Sequence, residues 1–216
     1  MRHLRFIVAA VVGLCLTACA GKVDYLRPTS QAAPSANAKV VGKPLAAVWT
    51  ASVPQLGKHF FVINNIDKSS GLINVSYNGD PEQFIDCGRI KSYVKNVKGQ
   101  RTYDFAGAKG YQSYEVMDPA VGWLFIERKM SLEGRVNLVF EEVSPHQTRI
   151  TANTRYVVQR VYTDRNAAGS NIPQSRTDSI SFNSGGRASF PPAPDGRAVE
   201  CVAKGALERE ILAAVR

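Results

Sequence analysis

The chain has 216 residues, with 27 lysines and arginines against 18 acidic residues and a formal charge of +9 at pH 7. No segment repeats, which excludes an array of repeated units; the length supplies one sizeable core or two small domains, and one main domain is expected. So basic a balance suits nucleic acid, anionic lipid and cell-wall polymers alike, and charge alone does not choose among them. At the N-terminus, Arg2 and Arg5 precede an uncharged, mainly apolar stretch from Phe6 to Ala20. A membrane-spanning helix needs about 20 apolar residues. This stretch is shorter and runs into Gly21-Lys22, so residues 1–18 read as a removable export signal rather than a span.

The signal ends in Leu16-Thr17-Ala18-Cys19, which resembles the lipobox of bacterial prolipoproteins. That resemblance implies cleavage before Cys19 and a diacylglycerol joined to its thiol as a thioether, so that the N-terminal lipid holds the protein on a membrane. The alternative is an ordinary secretory signal that happens to contain a cysteine. Cys15 leaves with the signal in either case. An Asp after the acylated cysteine retains many Gram-negative lipoproteins in the inner membrane; here the residue is Ala20, which implies the outer membrane, facing the periplasm. Removal of Arg2 and Arg5 with the signal leaves 198 residues and a charge of +7. An exported protein seldom meets nucleic acid, and that partner is discounted.

Cysteine usage agrees with export. Once Cys19 is assigned to lipid, Cys87 and Cys201 remain, and an oxidising compartment lets them pair as a disulfide. A metal site would lack ligands, because the mature chain has no CxxC and only His59 and His146. Neither metal nor cofactor is expected.

Residues 19–38, rich in Ala, Ser, Asn and Gln with two prolines, read as a flexible tether. Residues 39–216 read as a single α+β domain. Leu45, Val48, Trp49, Ser52 and Leu56 share a helical face, which predicts a helix over 44–53 that Pro54 ends or kinks. Strands at 59–66 and 72–77 form a hairpin around Asp67-Lys68-Ser69-Ser70-Gly71, and residues 79–88 form a loop. A second hairpin over 89–105 turns near Lys98-Gly99, and 111–117 is a short strand. Residues 122–163 alternate in three runs, split at Glu133-Gly134 and at 144–147, a meander with one face built to be covered. A polar loop over 164–176, a strand at 177–183 and a Gly/Pro-rich segment at 184–197 follow. The terminal segment places Leu207, Ile211, Leu212 and Val215 on one helical face. The expected architecture is an antiparallel sheet with an N-terminal and a C-terminal helix packed on one face.

Trp49, Leu56, Phe61, Ile63, Asp67, Ser70, Gly71, Leu72, Val75 and Tyr77 follow the pattern that opens a helix-grip domain in BamC-type lipoproteins, accessory parts of the bacterial β-barrel assembly machine. The similarity covers about 32 residues and, loosely, the final helix. It implies a helix-grip fold and an accessory role beside an envelope protein partner. BamC-type proteins resemble two such domains behind a long unstructured segment; this chain has a short tether, and its Asp86-Cys87-Gly88 loop is outside their pattern.

Catalytic chemistry is not visible. G-x-S-x-G, H-E-x-x-H and the P-loop are absent from the sequence, His59 and His146 read as solvated or packing residues, and no enzyme is expected. Asp80, Glu82 and Asp86 lack the order of a calcium loop and read as a solvated acidic loop. Arg89, Lys91, Tyr93 and Lys95 share one strand face, with Lys98 and Arg101 at the turn. That face suits an anionic glycan, lipid headgroups or an acidic partner, with Tyr93 able to stack on a sugar; the plainer account is a wet outer face that guards an edge strand. The sequence thus leads to a non-catalytic, periplasm-facing outer-membrane lipoprotein, an accessory or scaffold subunit of an envelope assembly or transport complex. Its alternative is a module that binds peptidoglycan or lipopolysaccharide through the basic face.

Overall fold

A computed structural model describes residues 20–30, 37–59, 61–120, 122–166, 174–193 and 195–216. The expected export signal, Cys19, the middle of the expected tether and most of the expected 164–176 loop lie outside the described residues. In chain order the elements are β1 (Ala20–Leu26), β2 (Ala38–Val41), α1 (Leu45–Leu56), β3 (Val62–Asp67), β4 (Leu72–Gly79), β5 (Ile85–Asp86), β6 (Arg89–Asn96), β7 (Gly99–Ala106), β8 (Tyr111–Asp118), β9 (Gly122–Ser144), β10 (Gln147–Asn166), β11 (Gln174–Asn183), β12 (Arg187–Ser189), β13 (Glu200–Ala203) and α2 (Ala206–Ala214).

Two long antiparallel strands, β9 and β10, form the spine. Along the free edge of β9, β8 pairs with the first half and β4 with the second; along the free edge of β10, β2 and β11 do the same. Side chains of a strand alternate between faces. The even-numbered residues of β9 and β10, among them Ile126, Leu132, Val136, Leu138, Phe140, Ile150, Ala152, Tyr156 and Val158, therefore share one buried face. The helices cover one end of that face. Trp49 of α1 meets Phe140 edge-on with ring centres 5.2 Å apart. From α2, Leu207, Ile211 and Leu212 are buried, and the carboxylate of Glu208 accepts from Tyr156 Oη at 2.7 Å and Ser184 Oγ at 2.6 Å. Burial, and then the Glu208 charge, push the Tyr156 phenol far up.

The other end of the face is covered by a small sheet, β1-β6-β7. Phe105 of β7 packs on Tyr114 of β8, and Ser92 Oγ donates to the Glu115 carbonyl at 2.5 Å. A third sheet, β12-β13-β5, carries the Cys87–Cys201 disulfide, which links positions 114 residues apart and is wholly buried. In the chain-entropy account a closure of that length contributes up to about 4–5 kcal/mol.

Several expectations need correction. Residues 20–26 and 38–41 are strands, and Thr29 N and Ser30 N donate to Asp86 Oδ2 at 3.1 and 3.0 Å, so residues 20–30 and Ala38 of the expected 19–38 tether belong to the fold. Their apolar content is low because β1 needs only Val23 and Tyr25 on its inner face and takes its backbone partners from β6. Glu133-Gly134 does not split the meander. Gly134 stays extended within β9, since a Cβ there would come within 2.6 Å of Leu207 Cδ2 and the missing side chain is what lets α2 approach. Helix α1 passes through Pro54 to Leu56; the proline sits in the last turn, where only one backbone bond is lost. The 79–88 loop contains β5, which pairs with β13, so Glu200–Ala203 is a strand ahead of the terminal helix. The Gly/Pro-rich segment contains β12, and β10 and β11 run into the expected polar loop from both sides. At the β3–β4 turn, hydroxyl and backbone hydrogen bonds from Ser69 and Ser70 hold the Asp67 carboxyl down at about 2.

Two arginines of the inner face are completely buried. Arg160 donates to Asp178 Oδ2 at 2.7 Å and to the Pro191 carbonyl at 2.8 Å, with its guanidinium 4.3 Å from the Phe190 ring centre. Arg128 donates to the carbonyls of Gly107 and Ala106, and burial lowers its pKa. Each reaches from the spine to a covering segment and donates to its backbone carbonyls. Truncation of Arg160 to alanine removes the buried partner of Asp178, which keeps only the exposed Arg176 at 3.1 Å, and is expected to cost about 3 kcal/mol. Urea unfolding of Arg160→Ala checks this; a loss below about 1 kcal/mol, the scale of an exposed pair, would contradict it.

Candidate functional site

The strand register decides which basic residues share a surface. In the β1-β6-β7 sheet, Arg89, Lys91, Tyr93 and Lys95 lie on the outer face, opposite Leu26, Asp24, Lys22 and Ala20 of β1 and Ala106, Asp104, Thr102 and Gln100 of β7. The positive charge is partly spent within the sheet. Asp104 accepts from Arg89 Nε at 2.7 Å and lies 3.4 Å from Lys91 Nζ, while Lys22 pairs with Asp24 at 2.8 Å. Although desolvation pushes the Asp104 carboxyl up, the hydrogen bonds and charges of Arg89 and Lys91 bring it below its ordinary value. Lys95 and Lys98 make no ion pair among the described residues. β6 is also the central strand of its sheet, so its lysines do not guard an edge.

Arg101 does not join this face. It stands opposite Val94, whose side chain is buried, and donates to Glu115 Oε2 through Nε at 2.8 Å and Nη2 at 2.5 Å. Trp123 Nε1 donates to the same oxygen at 2.8 Å. Burial would raise the Glu115 carboxyl, but the bonds from Arg101 and Trp123 hold it below the ordinary glutamate value. This is a structural clamp between β7, β8 and β9.

A second polar surface lies on the outer face of the main sheet. Asn64 Nδ2 donates to Asn74 Oδ1 at 3.0 Å, Asn74 Nδ2 to Asn137 Oδ1 at 2.6 Å, and Asn37 Nδ2 to Asn153 Oδ1 at 3.3 Å. Asn137 and Asn153 are register partners, so the amides run across the sheet in a row. All of these but Asn64 line, with Arg135, Arg155 and Asn183, a shallow concavity of about 570 Å³. The sequence hides this row, because its members come from four strands and the segment before β2, and none carries a motif.

The residues considered for catalysis do not converge. His59 is exposed beside Phe61, and His146 is exposed in the β9–β10 turn. Asp80 caps the short helical turn at Pro81–Gln83 by accepting from Glu82 N. Asp86 accepts from Gly88 N, Thr29 N and Ser30 N, so both carboxylates serve the backbone. Among the described residues no three His, Cys, Asp or Glu side chains form a metal-binding group.

The clamp gives a pH signature. A carboxyl whose folded pKa is depressed adds stability above its unfolded value, about 4.3, and that stability disappears as pH falls through the folded value. Arg101→Ala is therefore expected to melt below the native protein at pH 7, with a gap that narrows as pH falls below about 4.3; thermal melts from pH 7 downward check it, and a pH-independent gap would contradict it. No protein family, curated protein or solved structure matches this chain.

Proposed function

We propose that the protein is a non-catalytic lipoprotein of the outer membrane, anchored through acylated Cys19, facing the periplasm and serving as an accessory or scaffold subunit of an envelope assembly or transport complex. The observation that carries this reading is the buried Cys87–Cys201 disulfide. It belongs to an oxidising compartment and leaves Cys19 as the odd cysteine of the mature chain, placed where the Leu-Thr-Ala-Cys box requires it. A helix-grip arrangement related to BamC-type domains fits the packing of Trp49 on Phe140, the approach of α2 to β10 and the Asp67 turn. A scaffold role suits a molecule whose acidic and basic groups mainly hold its own strands together. Mass spectrometry of the mature N-terminus is expected to find a cysteine carrying acyl groups as residue 19, and crosslinking in cells to recover envelope proteins. An unmodified Cys19 removes the anchor, and crosslinks confined to the protein itself remove the scaffold role.

A second reading, a binding module for anionic envelope polymers such as peptidoglycan or lipopolysaccharide, is favoured by the amide row. Amides offer paired donors and acceptors that match sugar hydroxyls, and Arg135 and Arg155 flank them. Asn74→Asp combined with Asn137→Asp sets carboxylates among those amides and is expected to reduce retention on isolated sacculi or lipopolysaccharide. Lys95→Glu tests the outer face of β6 in the same assay, and undiminished retention of both variants would dismiss this reading.

A further inference from the structure

The end of the molecule nearest the acylation point carries a side chain that the fold does not use. Val97 sits at the tip of the β6–β7 hairpin, between the paired residues Asn96 and Gly99, and is 88% exposed. A β-branched apolar residue is a poor choice for a two-residue turn, where Asn, Asp and Gly are favoured. The turn is held without it: Lys98 N donates to Asn96 Oδ1 at 3.0 Å, Arg101 Nη2 donates to the same oxygen at 3.2 Å, and Gly99 takes the positive φ of 109°. Val97 therefore breaks local turn chemistry and returns nothing to the core.

Its position relative to Cys19 is set by the ladder. Ala20 is the register partner of Lys95, and β1 and β6 are antiparallel, so β6 runs toward the chain's acylation end. Cys19 lies one bonded residue beyond Ala20, about 3.8 Å between Cα atoms at most. Val97 lies two residues beyond Lys95, about 7 Å at the rise of a strand. The tip thus stands at or past the level of the cysteine to which acyl chains would be joined. Among the described residues Lys95 and Lys98 flank it without an ion pair, while Lys22 on β1 is paired with Asp24. The β8–β9 turn shares this end, since Met117 packs where a Cβ of Gly21 would lie; there Asp118 accepts from Ala120 N.

Resting on the reading of Cys19 as acylated, we propose that the β6–β7 tip is a second membrane contact, with Val97 entering the boundary between headgroups and acyl chains and Lys95 and Lys98 meeting the phosphates of anionic phospholipid. Apolar side chains beside lysines are the combination that holds protein at this boundary. The contact fixes the rotation of the domain about its anchor and stands the strands of the β1-β6-β7 sheet away from the bilayer.

The test uses the full lipidated protein with Val97→Cys, which becomes the free thiol once Cys19 is acylated and Cys87 is bonded to Cys201. A polarity-sensitive fluorophore is attached there, and the protein is placed in vesicles of phosphatidylethanolamine and phosphatidylglycerol. Val143→Cys, near the far end of β9, serves as the control. The expected result is blue-shifted emission at position 97 that spin-labelled phospholipid quenches, with water-like emission at position 143. Water-like emission at 97 in a sample whose Cys19 is acylated by mass spectrometry refutes the contact and leaves the anchor standing. A blue shift that the lipid quencher does not touch means burial against protein and also refutes it, whereas an unacylated Cys19 overturns contact and anchor together.

Discussion

The pairing of β9 with β10 is the constraint on which the rest of the molecule depends. The ladder runs from Leu124 opposite Asn166 to Ser144 opposite Gln147. One register places every even-numbered apolar residue of both strands on the same side, and a slip by a single residue would carry one whole set into water. Both outer edges of the pair are taken up, by β8 and β4 along β9 and by β2 and β11 along β10. The spine is thereby protected from pairing with another chain, and every other element is placed by which stretch of it that element meets.

A face so long cannot be covered by two short helices. The helices seal the end near Phe140 and Tyr156, and the rest is covered by small sheets and their flanking segments, which bury Ile85, Ile90, Phe105 and Phe190. Polar groups on the inner face tie these segments to the spine: Arg128 reaches the carbonyls at the end of β7, Arg160 reaches Asp178 and Pro191, and Tyr114 Oη donates to Asp195 Oδ2 at 2.9 Å. Buried charge of this kind is costly unless paired and hydrogen-bonded. Here Arg128 and Arg160 each hold a covering segment by hydrogen bonds, while Arg128 Nε and Arg160 Nε and Nη1 are buried without a partner among the described residues.

The strong alternation of 122–163, the hairpin at Asp67–Gly71, the helix bearing Trp49 and the Cys87–Cys201 pairing could all be read from the sequence, because each rests on local periodicity or on counting. What could not be read rests on partners distant in the chain. Gly134 looks like a turn until α2 is seen lying over it, and the segment after Cys19 looks like a tether until β6 supplies its hydrogen bonds. For the basic face, the period of two correctly grouped Arg89, Lys91, Tyr93 and Lys95. Arg101 went astray because its face depends on the register across the Val97-Lys98 turn, and its partner Glu115 lies on another strand. The amide row has no local signature at all.

Tyr25 of β1 donates its hydroxyl hydrogen to the Glu200 carbonyl at 3.0 Å and accepts from Glu200 N at 2.9 Å. Residues 175 apart thus share a bond on the strand that also carries Cys201. Contacts this distant form late, because the intervening chain must be ordered before they repay its entropy. In a chain synthesised from its N-terminus, β1 thus waits on a segment that arrives 175 residues later. A product truncated before β13 would lack both these bonds and the Cys87–Cys201 link, leaving Tyr25 and Cys87 without their partners and the fold open to proteases.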